Sequence, residues 1–245
     1  MKKRRASILR SVLLKLALLC GLALPWLGFL GLEARLFQPP AARAPLTAQE
    51  ESLRAAFAQA AFRAEYDSRG TNVLRRWASP IRVYADGSMT PGDGQALDGF
   101  ISQLSHRVRG LPPVSRVADE DAANLVIHYA PLKDLPALDD NYVHGNWGFF
   151  TFWYDGAWQI YKARVLVATD VTSQRERNHL LMEELTGALG LANDLDDQPD
   201  SILYQAWTAT QQLSGLDWQL LNLLYDARLR PGMSLRQAMR ALEWQ

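Results

Sequence analysis

The stretch "HLLMEELTGALGLAND", His179 to Asp194, gathers residues able to do chemistry. Two adjacent carboxylates, Glu183 and Glu184, follow a histidine, and Asn193 and Asp194 close the run. Residues four apart lie one turn above another on a helix, so His179 and Glu183 share a face. They could share a metal ion or form the ion pair common on surface helices. Leu181, Leu185, Ala188 and Leu189 form an apolar stripe with Leu180 and Met182 at its margins, and Glu184 falls at its edge. A half-buried carboxyl needs a partner or a raised pKa, and a raised pKa suits a general base near neutrality. Ser173 and Glu176 give a capping box at the start of this helix, and Gly190 gives a left-handed stop about four turns on.

"EELTGALGLAND" resembles, without a gap, the zinc-peptidase pattern H-E-x-x-H-x-x-G-x-x-H of metzincins, with Glu184 at the catalytic glutamate and Gly190 at the turn glycine. "DSILYQ", Asp200 to Gln205, resembles the Met-turn of the same group, with Leu203 in the methionine position. The resemblance implies a zincin-like domain with Glu184 as candidate base and Glu183 as a further candidate. The three histidine positions, however, hold Glu183, Gly187 and Asn193. A catalytic zinc keeps about three protein ligands, and glycine offers no donor, so zinc is not expected and no cofactor is predicted. The same string also resembles an uncharacterised bacterial envelope family, domain of unknown function 2927, with Glu-Glu-x-Thr in place of the histidine motif. Gly187 departs from that family's usual glutamine. This likeness implies an exported, often membrane-tethered or lipoprotein-like domain of zincin ancestry, and it supplies no activity.

Other groupings are open to two readings. Asn193, Asp194, Asp196, Asp197 and Asp200 form an acidic loop without the glycine and final glutamate of a calcium-binding hand. Side chains of this type bond local backbone, which suits a loop leading into Ser201. Between Tyr142 and Tyr161 lie Trp147, Phe149, Phe150, Phe152, Trp153, Tyr154 and Trp158. Trp147 and Trp153 are candidate binding residues, stacking on sugars or lining a groove for an extended peptide, although aromatics also favour strands for packing reasons alone. His106, His128 and His144 are scattered, and folding could bring His144 toward the helix. Serine-hydrolase elbows, phosphate loops and paired Cys-x-x-Cys motifs do not occur in the sequence.

The elements that must position these residues are legible in order. Thr47 and Glu50 cap a helix carrying Leu53, Phe57, Ala60, Ala61 and Ala64. "IRVYADG" from Ile81 alternates as a strand, and a helix follows Pro91. "NLVIHYA" from Asn124 reads as a strand, "FFTFWYDGAWQIY" as a hairpin turning at Asp155-Gly156, and "ARVLVATD" from Ala163 as a further strand. The order predicts an α+β fold, a zincin-like mixed β-sheet packed with helices, over 47–245.

An N-terminal hydrophobic helix is expected ahead of it, within 1–37. Lys2, Lys3, Arg4 and Arg5 precede an apolar run from Val12 to Leu32, so this segment reads as an inner-membrane anchor or signal, with the folded part in the periplasm. The first Ala-x-Ala after it, Ala42-Arg43-Ala44, lies far downstream, which favours retention over cleavage. Cys20 raises a lipoprotein alternative, but Leu19 before it does not fit a lipidation site. Proline-rich residues 38–46 form a linker. Cys20 is the one cysteine in 245 residues, and Lys+Arg equals Asp+Glu at 26, so neither disulfides nor nucleic-acid binding are expected.

Three functional readings follow. The first is a membrane-tethered, non-catalytic domain that binds an envelope protein, a peptide or peptidoglycan. The second is a hydrolase in which Glu184 acts as general base with an atypical metal or none. The third is a structural domain in which Glu183 and Glu184 hydrogen-bond the 193–201 loop.

Overall fold

A computed structural model describes residues 45–62, 72–208 and 210–244. The expected anchor, most of the linker and Ala64 lie outside them, and no described helix is long and apolar enough to cross a membrane.

Helix starts in this chain are set by serine or threonine caps. Thr47 with Glu50 begins α1 (Ala48–Phe62). Thr90 with Asp93 begins α2 (Pro91–Arg107), and Ser173 with Glu176 begins α4 (Gln174–Ala188). Ser214 with Asp217 begins α5 (Gly215–Leu224), and Ser234 with Gln237 begins α6 (Leu235–Ala241). In each, the hydroxyl accepts a backbone N–H that would otherwise be orphaned, and the side chain three residues on accepts the cap's own N–H. The short α3 spans Leu135–Leu138.

The strands are β1 (Arg76–Trp77), β2 (Ile81–Gly87), β3 (Val114–Arg116), β4 (Leu125–Ala130), β5 (Gly148–Tyr154) and β6 (Gln159–Ala168). Across the sheet the order is β3, β2, β4, β6, with β1 also pairing with the start of β6. All these pairings are parallel. β5 joins the other side of β6 antiparallel, from Gly148 opposite Val167 to Phe152 opposite Ala163, with a bulge at Trp153/Tyr154. The hairpin around Asp155 therefore forms as the sequence indicates, and the Asp155 carboxylate accepts from the Ala157 and Gln159 amides. Its second strand and the strand expected from Ala163 are one ten-residue element.

Alternation decides the faces. Ile81 and Val83, Leu125 and Ile127, and Ala163, Val165 and Val167 face the main core, met by Leu97, Phe100 and Leu104 of α2 and Leu181, Leu185 and Ala188 of α4. A smaller cluster of Leu135, Tyr142, Phe149, Leu166 and Ala168 covers part of the opposite face.

Three groups fix the end of α4. The Trp77 indole donates to the Ala188 carbonyl at 2.9 Å and the Tyr225 hydroxyl to the Leu189 carbonyl at 2.8 Å, satisfying acceptors that a helix end leaves open. Gly190 turns the chain at φ +119, where a Cβ would stand 2.5 Å from the Arg75 carbonyl oxygen. At the other end of α4, buried Asp93 of α2 accepts from Gln174 at 2.6 Å and Arg177 at 3.2 Å. The helix bearing the acidic pair is thus pinned at both ends.

Candidate functional site

A cleft of about 960 Å³ opens between β5, the cleft-facing stripe of α4 and the loop that follows it. All seven residues of β5 line it, and among the described residues β5 pairs only with β6. Antiparallel strands use alternate residues for each neighbour. Trp147 accepts from the Ala168 amide, which assigns Trp147 and every second residue after it to β6 and leaves the Gly148, Phe150 and Phe152 backbone groups at the free edge.

Glu184 lies half-buried in the cleft wall. A Cβ on Gly148 would fall 2.3 Å from its Oε1, so the glycine is what admits the carboxyl beneath the edge strand. Burial first, then the Glu183 and Asp194 charges, push the Glu184 carboxyl well above the usual carboxylate range. Among the described residues no hydrogen bond reaches it.

His179 is deeply buried, at 3% exposure, rather than on a surface face. Its Nδ1 is 2.9 Å from the Thr210 carbonyl oxygen, and its Nε2 is 3.3 Å from Glu183 Oε2. A carbonyl and a carboxylate at the two ring nitrogens favour the protonated form of the ring. Burial pulls its pKa down, but the hydrogen bond and charge of Glu183 and the Thr210 carbonyl outweigh it, and the net shift is upward. Trp207 packs edge-on against the same ring at 5.3 Å.

The three positions that would carry metal ligands in the resembled motif do not converge as donors. Glu183 faces His179. Gly187 lies under Phe150, whose Cε1 would be 2.4 Å from a Cβ there. Asn193 Nδ2 donates to the Ala60 carbonyl on α1 at 3.3 Å, which ties the loop to a distant helix. The Asp194 carbonyl accepts from Gln59 at 2.9 Å. This donor set does not fit zinc, and no group of three His, Cys, Asp or Glu side chains among the described residues could hold a metal ion. The structural reading in which Glu183 and Glu184 bond the 193–201 loop is also overturned, since Glu183 is held by His179 and the cleft stands open.

Trp147 meets Trp207 edge to face at 5.7 Å across the cleft rim. Trp153 borders the cleft, but alternation turns its ring to the other face with Phe149 and Thr151, where Lys162 and Arg164 lie over it at 5.4 and 5.7 Å. His144 packs against Tyr142, His128 bonds Asp86 at 2.7 Å, and His106 bonds the Ser102 carbonyl. Sequence reasoning missed Gly148, Arg75, Trp207 and Asp217. Arg75 stacks over Tyr154 at 5.0 Å at the far end of β5. Asp217 accepts from the Ser201 hydroxyl, the Ile202 amide and the Ser214 amide, which fixes the turn carrying Leu203 at the cleft floor. The Ser214-x-x-Asp217 cap was a usable signal for it.

The family model described as protein of unknown function (DUF2927) matches residues 50–244, a span that holds α4, β5 and the whole cleft lining. The chain belongs to this family. Two solved structures of myroilysin are each 13% identical to this DUF2927 chain, with TM-scores of 0.38. One alignment covers 62% of this chain and 82% of that one, the other 75% and 99%. No curated protein matches it.

Proposed function

We propose that this chain is a non-catalytic binding domain of zincin ancestry, tethered to the inner membrane by its N-terminal segment and facing the periplasm, whose cleft takes an extended peptide along the free edge of β5. One observation carries this reading. The place of the second metal ligand is filled by the Phe150 ring on Gly187, while the cleft beside it remains open. A free strand edge is a template for another chain, with main-chain hydrogen bonds supplying affinity. At about 3.4 Å per residue β5 is long enough for a ligand of roughly seven residues.

The test uses the full chain in detergent and a capped heptapeptide of alternating valine and threonine, followed by Trp147 and Trp207 fluorescence. N-methylation of alternate amides in one register should abolish binding and in the other leave it intact. Equal effects in both registers would remove the strand-pairing reading. The preparation should hold well under one zinc per chain and leave the peptide uncleaved. Deleting Val12 to Leu32 should release the protein from alkaline-washed membranes.

The raised Glu184 pKa favours a second reading, a metal-free hydrolase with Glu184 as general base. Peptide cleavage by the wild-type chain that is lost in Glu184→Gln would replace the first reading with this one.

A further inference from the structure

The face of α4 that borders the cleft carries Glu176, Leu180, Glu183, Glu184 and Gly187 at helical spacing. With Asp194 the cleft lining holds four carboxyl groups against one base, Arg75. These groups are not equivalent. Glu183 faces His179 Nε2 at 3.3 Å, Glu176 accepts from the Ser173 amide in its capping box, and Arg75 stacks over Tyr154 at the opposite end of β5. Glu184 alone combines a place in the cleft wall, burial against Gly148 and no hydrogen bond among the described residues. Its surroundings supply burial and two acidic neighbours, and among the described residues no cation pairs with Glu184 itself.

A second observation points to the same ligand. Four large hydrophobic side chains among the described residues are exposed, and two of them, Trp147 at 37% and Trp207 at 54%, meet at the rim of this cleft. Tryptophan faces attract cations, and a large apolar surface left in water beside a cavity marks a binding edge. Trp147 is also the chain neighbour of Gly148, against which the Glu184 carboxyl lies.

We propose that the cleft contains a subsite for an organic cation, the ammonium of a basic side chain on an extended segment, taken up between the Glu184 carboxyl and the Trp147–Trp207 pair. The proposal rests on the reading of the cleft as a groove for an extended segment and names the chemistry that segment must carry. On uptake the Glu184 O–H bond breaks, its proton passes to solvent, and the carboxylate pairs with the ammonium, while Glu183 stays with His179. A bare divalent metal is a poorer match, because three convergent donors are absent among the described residues.

Isothermal titration of the full chain in detergent tests this with four capped heptapeptides that differ only at the centre, carrying lysine, norleucine, acetyl-lysine or glutamate. Measurement near neutral pH in phosphate and in Tris reports proton release through the different buffer heats. The lysine peptide should bind at least about fivefold tighter than the norleucine and acetyl-lysine forms, the size of one cation–aromatic contact with one partly exposed ion pair. It should release a proton from wild type and none from Glu184→Gln, which copies the neutral carboxyl and keeps the fold, as a melting curve verifies. In that variant lysine and norleucine should bind alike.

Equal binding of lysine and norleucine to wild type overturns the cation subsite and leaves the strand-edge reading standing. A lysine preference that survives Glu184→Gln overturns it as well. Binding of none of the four peptides overturns both. Displacement of the lysine peptide by a trimer of N-acetylglucosamine would give the tryptophan rim to a sugar and end the proposal.

Discussion

Glycine at position 187 decides what the site is able to be. The motif shows that a donor is missing there, and the fold adds that the space is taken, because the Phe150 ring lies where any side chain would begin. Gly187→His should therefore fail to build a metal site. The added ring must displace Phe150 from between β5 and α4, and overpacking of this kind costs at least about 2 kcal/mol. Urea denaturation and metal analysis check this, and a stable variant holding one zinc per chain would refute it. Glu184 at the edge of the buried stripe was legible from the helical wheel alone. Its isolation was not, because Gly148, Asp194 and Glu183 converge on it only through the sheet and the loop. His179 shows the reverse error, since an i,i+4 pair with Glu183 looks like surface chemistry until Trp207 and Thr210 close over it.

Among the elements, those with strong local signals were readable. The capping boxes at Thr47 and Ser173, the helix start at Pro91, the alternation of Ile81 to Gly87 and the Asp155 turn fixed their helices, strand and hairpin without help from distant residues. β1, β3 and α3, at two to four residues each, are too short to carry a period and exist because β6, β2 and the outer face of the sheet give them partners. The turn from Ser201 to Leu203 depends on an element more than ten residues away. Asp217 sits fully buried at the start of α5 and receives the Ser201 hydroxyl at 2.5 Å and the Ile202 amide at 3.0 Å. Leu203 in turn accepts from the Leu195 amide at 2.7 Å, so this carboxylate braces both sides of the loop beyond Asp194. Asp217→Ala leaves these donors unsatisfied and removes a helix cap, and is expected to cost about 3 kcal/mol. Hydrogen exchange should rise at residues 195–205 before it rises in β4. A loss below about 1 kcal/mol, within the range of an ordinary surface change, would show that the turn is held by packing instead.

At the scale of the whole molecule the titrating groups set opposite slopes on stability. Asp226 has a lowered pKa through its Arg228 hydrogen bond, and Glu176 through its hydrogen bonds to Ser173. The stability these two contribute is present above their ordinary values of 3.8 and 4.5, and is lost as pH falls through their folded values. His179 and Glu184 act on the other side. Glu183 and the Thr210 carbonyl raise the His179 pKa, so its contribution is complete below its ordinary value of 6.5 and disappears as pH rises through the raised folded value. Glu184 lies near Glu183 and Asp194 and pairs with no cation among the described residues. In the unfolded chain it ionises from 4.5 upward while the folded chain keeps its proton, so stability falls with rising pH over that interval too. The melting temperature should then peak at about pH 4.5 and decline toward alkaline pH. Glu184→Gln removes only the Glu184 component. It should raise stability above pH 7, because a glutamine has no proton to lose on unfolding, and delay the decline until His179 titrates. Melts followed by circular dichroism from pH 3.5 to 9 compare the two proteins. Superimposable profiles would mean that the Glu184 carboxyl is solvated in the folded chain, which would also remove the physical basis for a cation subsite in the cleft.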